Sequence, residues 1–234
     1  MKVFLKILFL MLWLVGLKCM SSPIKFNSIT VENGLSANQV KCILKDNFGF
    51  MWFGTIEGLD RFDGYEIKSF TGKFPSGKQN INCLFQDKEN NLWIGTERGL
   101  YRKEKGDVTI SPILPDSLKS RITCIAELNS GEIGIGGDNG LTILNRNLSE
   151  MRMIQFSENI ADSVNRITGM ATDNKGITWI TSLGGLIRLQ KNSKIFELIR
   201  NTNHSLDNVF SSLAVTDNKV YLGTNSSGLF SYTP

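Results

Sequence analysis

A motif that recurs five times along 234 residues constrains this chain more tightly than its composition does. A repeat period of roughly 20 to 50 residues marks stacked or ring-forming units rather than one ordinary core. The first copy reads Val40-Lys41-Cys42-Ile43, Asp46, Gly49, Trp52-Phe53-Gly54-Thr55 and Gly58-Leu59. The second reads Ile81-Asn82-Cys83-Leu84, Asp87, Trp93-Ile94-Gly95-Thr96 and Gly99-Leu100. The third runs Ile122-Thr123-Cys124-Ile125, Gly131, Gly134-Ile135-Gly136-Gly137 and Gly140-Leu141. The fourth is Ile167-Thr168-Gly169-Met170, Asp173, Gly176, Trp179-Ile180-Thr181 and Gly185-Leu186. The fifth keeps Phe210-Ser211-Ser212-Leu213, Asp217, Tyr221-Leu222-Gly223-Thr224 and Gly228-Leu229. The Gly-Leu pair falls at 58, 99, 140, 185 and 228, and the small residue of the first stretch at 42, 83, 124, 169 and 212, so both landmarks advance by 41, 41, 45 and 43 residues. The units run over about 38–80, 81–120, 121–165, 166–207 and 208–234.

Within the first unit an apolar stretch at 40–44 is followed by the turn Asp46-Asn47-Phe48-Gly49, an aromatic stretch at 50–53, a glycine turn at Gly58, and further stretches at 59–62 and 67–70. That pattern predicts four short antiparallel strands per unit. Both faces of the first stretch are apolar, as in Ile81, Cys83 and Phe85 against Leu84, so this strand is covered on both sides. Sheets packed face to face around an axis supply such cover, and four-stranded units of this length are the mark of a β-propeller. The expectation is an all-β propeller of five units, either a closed ring or part of a larger one. Its phase predicts that residues 24–30 pair with 229–232 as a closing strand, because the fifth unit stops after its third stretch.

Composition excludes several functions. Of the net charge of +4, Lys2, Lys6 and Lys18 contribute three, leaving +1 for the rest and no polyanion-binding surface, so no nucleic-acid partner is expected. The one histidine, His204, would have to serve alone in any zinc site or Ser-His-Asp triad. Basic residues followed by the apolar run 7–17 and Lys18-Cys19-Met20-Ser21-Ser22 read as a secretory signal over 1–22, cleaved near Ser21 or Ser22, which leaves a propeller domain over 23–234. Retained, the same segment would be a membrane anchor. Lys18 before Cys19 argues against a lipoprotein.

Residues 40–70, with Asn33-Gly34-Leu35-Ser36 before them and Asn90-Asn91-Leu92-Trp93-Ile94-Gly95-Thr96 after them, resemble the two-component regulator propeller repeats of periplasmic sensors in hybrid two-component systems. The resemblance covers nearly all of 24–234 and is sharpest in units one, two and four. It implies an exported, periplasmic sensor that binds an oligosaccharide and partners a membrane-linked histidine kinase or a second copy of itself. Kinase activity of such a receptor would lie on other domains, so the chain is read as non-catalytic and without a cofactor.

The repeat frame absorbs most motifs that otherwise suggest chemistry. Glycines 134, 136, 137 and 140 resemble a dinucleotide loop but are strand and turn glycines, and Asn139 stands where that loop needs glycine. Trp52, Trp93 and Trp179 are expected to pack between blades, Arg61, Arg102 and Arg188 to donate hydrogen bonds between blades, and Asp46, Asp87 and Asp173 to close Asx-turns. Cys42, Cys83 and Cys124 share one structural position near the axis and are expected to stay unbridged. Recognition is expected in the variable segments 73–80, 103–119, 144–166 and 189–208, without assigned binding, metal or catalytic residues. The alternative is a secreted propeller enzyme acting on glycans as hydrolase or lyase, whose carboxylates would come from Asp60, Asp63, Asp138 and Glu97.

Overall fold

The computed structural model describes residues 26–113, 120–158, 162–190, 196–200 and 208–234; the expected signal over 1–22 lies outside them. Blade one comprises β1 (Val40–Lys45), β2 (Met51–Thr55), β3 (Leu59–Phe62) and β4 (Ile67–Ser69), and blade two β5 (Ile81–Gln86), β6 (Leu92–Thr96), β7 (Gly99–Lys103) and β8 (Ser111–Pro112). Blade three holds β9 (Ile122–Glu127), β10 (Ile133–Gly137), β11 (Gly140–Leu144) and β12 (Met151–Ile154). Blade four holds β13 (Ile167–Thr172), β14 (Thr178–Ser182), β15 (Gly185–Leu189) and β16 (Phe196–Ile199), and blade five β17 (Phe210–Val215), β18 (Val220–Thr224) and β19 (Leu229–Tyr232). Each blade is an antiparallel meander in chain order, four-stranded in blades one to four and three-stranded in blade five. The expected propeller architecture is the one found.

First strands pack against one another in the order β1, β5, β9, β13, β17, so they form the inner wall of the arc. Every one of them carries a bulge at its second residue, where the register with the next strand shifts. A bulge leaves that residue unpaired and re-aims its side chain. The consequence is a belt between blades: Asn82 Nδ2 donates to the Ile122 carbonyl at 3.1 Å, Thr123 Oγ1 to the Ile167 carbonyl at 2.7 Å and Thr168 Oγ1 to the Phe210 carbonyl at 2.6 Å.

Apolar burial lies between blades rather than within them. Trp52, Leu59 and Phe70 meet Ile81, Ile94 and Tyr101; Trp93 and Leu100 meet Ile122, Ile133 and Ile135; Leu141 and Ile143 meet Ile167, Ile180 and Ile187; Trp179 and Leu186 meet Phe210, Val220 and Leu222. Leu59, Ile81, Ile94, Ile133, Leu141, Trp179 and Ile187 have no exposed surface, which at about 25 cal/mol per Å² of apolar area makes these seams the main source of stability. Among the described residues no such seam joins blade five to blade one. Ile43 is accordingly 61% exposed, whereas Ile125, at the same place in blade three, is 9% exposed.

The closing strand expected over 24–30 is not formed among the described residues. Residues 26–30 belong to no sheet, and β19 pairs with β18 alone. The segment instead enters a single 3-10 turn at Val31–Asn33, in which Thr30 and Asn33 cap each other. Polar capping outweighs strand pairing there because Phe26 and Ile29 find nothing to bury against and stay exposed.

Candidate functional site

Each regular blade builds one polar unit around its tryptophan. In blade one Asp46 Oδ2 accepts from Trp52 Nε1 at 2.7 Å while Oδ1 accepts from the backbone N–H of Phe48 and Phe50, both at 2.9 Å. Asp87 does the same for Trp93, Glu89 and Asn91, and Asp173 for Trp179, Lys175 and Ile177. Turn closure by these aspartates is as expected. The indole bond goes further, since it lets a tryptophan N–H be buried without loss. Trp52, Trp93 and Trp179 are 4%, 1% and 0% exposed and pack between blades, with Trp52 also bordering a cleft between blades one and two.

The repeat arginines do not bridge blades as expected. Arg61, Arg102 and Arg188 lie directly across the hairpin from the tryptophan of their own blade, and their guanidinium carbons sit 5.9, 5.5 and 5.8 Å from its ring centroid. Arg102 pairs with Glu104, and Arg188 with Glu197 on the adjacent strand at 3.4 Å. Arg61 has no carboxylate within ion-pair distance among the described residues; Lys68 stands across from it.

The four carboxylates of the enzyme alternative are engaged by the scaffold. Asp60 is fully buried and accepts from the Ser36 backbone N–H at 2.8 Å and the Ser36 hydroxyl at 2.6 Å, docking the Asn33-Gly34-Leu35-Ser36 segment onto blade one. Asp63 accepts from the N–H groups of Glu66 and Tyr65, which hold its carboxyl below the usual range, in the turn at the far end of β3. Glu97 pairs with Lys41 at 3.3 Å and Asp138 with Arg121 at 2.8 Å, and the Asp138 hydrogen bond raises the Arg121 pKa. Asp60 and Asp63 are thus separated along β3, and Glu97 and Asp138, whose charges both act on Arg121, are each paired with a cation. Among the described residues no cluster of His, Cys, Asp and Glu could hold a metal. His204 lies outside them.

Cys42, Cys83 and Cys124 are free thiols. Burial pushes Cys42 up to about 11 and Cys124 to about 12, and raises Cys83 well above the ordinary value, so none is poised as a nucleophile. The tight space belongs to the facing residue. A Cβ on Gly54 would stand 2.4 Å from Cys42 Sγ and 2.6 Å from Ile81 Cγ2 of the next blade.

A cleft of about 380 Å³ lies at the outer end of the seam between blades one and two. Its walls come from the β1–β2 turn (Asp46, Phe48, Phe50), from Arg61 and Lys68 on β3 and β4, and from residues 103–108 after β7. Segment 103–119, expected to be variable and recognition-bearing, thus supplies one wall, although 114–119 lie outside the described residues. Four cations line the cleft, Arg61, Lys68, Lys103 and Lys105, against the carboxylates of Asp46 and Asp107. Desolvation first, then the charge of Arg61, lowers the Lys103 pKa. Arg61 stacks on Phe50 at 4.1 Å, and Lys105 Nζ lies 5.9 Å from the Phe48 ring centroid. The sequence hid this cluster, since its members lie in two repeats; the available signal was Phe48, where the other blades carry Glu89 and Lys175.

The sequence pattern of the two component regulator propeller family matches residues 34–57 and 76–98. The two matches cover the first two strands of blades one and two. A curated relative, Histidine kinase P4 of Formosa agariphila, is 39% identical over 56 residues, which are 24% of this chain and 4% of that protein. The extracellular domain of the hybrid two component system BT4673 from B. thetaiotaomicron superposes with a TM-score of 0.68 at 19% identity, over 84% of this chain and 27% of that one. A virginiamycin B lyase from Staphylococcus aureus superposes at 0.64 with 13% identity, over 86% of this chain and 71% of the lyase. At such identities the structural likeness is one of fold, and it confirms the propeller. The regulator repeat thus sits in a chain that spans only a small part of the kinase it matches.

Proposed function

We propose that this chain is a non-catalytic, ligand-sensing propeller over residues 23–234, exported to the periplasm behind a signal at 1–22 and acting within a hybrid two-component receptor. Among the described residues no helix is long and apolar enough to cross a membrane. In this reading the chain is coupled to a membrane-linked kinase, or to a second copy of itself. The observation that carries the reading is how the polar landmarks are used: Asp46, Asp87 and Asp173 hold indoles and turns, and Asp60 holds the segment before blade one. Groups so engaged keep a scaffold rigid and are not free to act on a glycosidic bond. The cleft between blades one and two is the site offered to a ligand, here an oligosaccharide by analogy with the sensor repeats.

Thermal-shift titration with an oligosaccharide panel, coupled to product analysis by mass spectrometry, tests this. Stabilisation without product is the expected result. The lyase-like fold keeps one second reading in view, an enzyme acting on glycans. Turnover that disappears with Asp60→Asn or Asp138→Asn would establish that reading and refute sensing alone.

A further inference from the structure

The geometry points to the cleft between blades one and two as a binding site for an acidic saccharide, one whose carboxylate or sulfate is held by Arg61 and Lys103 while its ring lies on Phe48. The inference rests on the sensing reading and adds the chemical class of the ligand.

Three departures from the repeat converge there. In blade four Arg188 faces Glu197 across the hairpin, and in blade two Arg102 finds Glu104. In blade one the residue facing Arg61 is Lys68. Like charges directly opposite on adjacent strands destabilise a sheet, and the scaffold offers Lys68 only a distant ring contact, its Nζ lying 5.8 Å from the Phe70 centroid. Lys103, half-buried, comes from the neighbouring blade and adds a third cation whose pKa falls through desolvation and the field of Arg61. Arg61 Nε is buried without a hydrogen-bond partner; Arg188 Nε is too, but its guanidinium has Glu197. Of the two carboxylates in the cleft, Asp46 has both oxygens committed to Trp52 and the turn. Asp107 is exposed. The cleft is therefore a pocket of excess, partly desolvated positive charge, which an oxyanion would complete with charge-assisted hydrogen bonds.

The ring-binding part comes from Phe48. It is 56% exposed at the tip of the β1–β2 turn, on the cleft wall. Exposed aromatics beside cations suit a ligand that has a flat apolar face and a charged substituent. A sugar acid or sugar sulfate has both, whereas inorganic phosphate or sulfate has only the charge. The cleft volume suits one or two sugar rings.

Isothermal titration of the full chain with cellobiouronic acid against cellobiose, and with glucose 6-sulfate against glucose, reads the proposal directly. Inorganic sulfate is the control for charge alone. The expected result is binding of an acidic sugar at least tenfold tighter than its neutral counterpart, weakening with added salt; the better of the two acidic arms identifies the oxyanion. Arg61→Gln and Lys103→Gln should each weaken it at least tenfold, and Phe48→Ala should weaken the sugar while leaving inorganic sulfate unchanged. Lys68→Glu is the decisive variant, because it installs the cross-strand pair seen at Arg188 and Glu197. It should melt no lower than the wild type and lose acidic-sugar binding. Equal affinity for neutral sugars, no binding of either acidic sugar, or full affinity in Lys68→Glu overturns the proposal. Cleavage of a bound acidic sugar would leave the anion site supported and overturn the sensing reading instead.

Discussion

Replacing Gly95 with threonine forces side-chain atoms into a slot already filled from two sides. A Cβ there would lie 2.4 Å from Cys83 Sγ, across the hairpin, and 2.8 Å from Ile122 Cγ2 of the next blade. Overpacking of this kind costs about 3 kcal/mol, at the upper end of the usual range because threonine adds two further atoms. Cys83→Gly removes two buried heavy atoms, about 1.5 kcal/mol at about 0.8 kcal/mol for each methylene-sized group, and adds about 0.5–1 kcal/mol for glycine in a strand. If the sites were independent, the double variant would lose about 5 kcal/mol. Blade four shows why they are not: there the small and large residues are exchanged, with Gly169 facing Thr181. A Cβ on Gly169 would stand 2.9 Å from Thr181 Oγ1, so the exchanged pair fills the same slot from the other strand. The double variant Cys83→Gly, Gly95→Thr should therefore lose only about 2–3 kcal/mol, a coupling of about 2 kcal/mol. Recovery is incomplete because Ile122 still presses on the slot from the next blade. Urea unfolding of all four proteins at constant m-value measures the cycle. Additivity within about 0.5 kcal/mol would refute the idea that one hairpin slot holds one side chain.

Asp87→Ala should cost about 3 kcal/mol, because the buried Trp93 N–H loses its acceptor along with two turn N–H groups; an unchanged melting temperature would contradict this. Thr123→Val should cost about 1 kcal/mol by leaving the Ile167 carbonyl without its donor across the seam, read by denaturant midpoint. Cys42, Cys83 and Cys124 should all alkylate after denaturation without reductant, and their native alkylation should be slow at neutral pH, rising with pH toward about 11 at Cys42. The fold favours the neutral thiols, so their contribution is complete below the unfolded value of 9.0 and is lost as pH rises through 9.0 toward the folded values of about 11 and 12; a flat stability profile across that window would refute it.

Blade number, strand order and the tryptophan seams were legible in the chain because they depend on local alternation and on a motif that repeats in register. Asp46, Asp87 and Asp173 could be placed in turns for the same reason, since an Asx-turn closes within four residues. The arginines could not. Whether Arg61, Arg102 and Arg188 reach a neighbouring blade or lie across their own tryptophan depends on hairpin register and on which strand supplies a carboxylate. The bulges that aim Asn82, Thr123 and Thr168 into the next blade have no local signature either, because a bulge is a property of two strands together. Residues 26–30 kept out of any sheet although their pattern suits a strand, because a strand needs an edge in reach and a surface to cover. The cationic cleft joins turn, strand and loop residues from Asp46 to Val108, whose charges cancel in the composition and add only where two blades meet. Periodicity along the chain determined the scaffold, and proximity between blades, which no local pattern encodes, decided where charge is left unpaired.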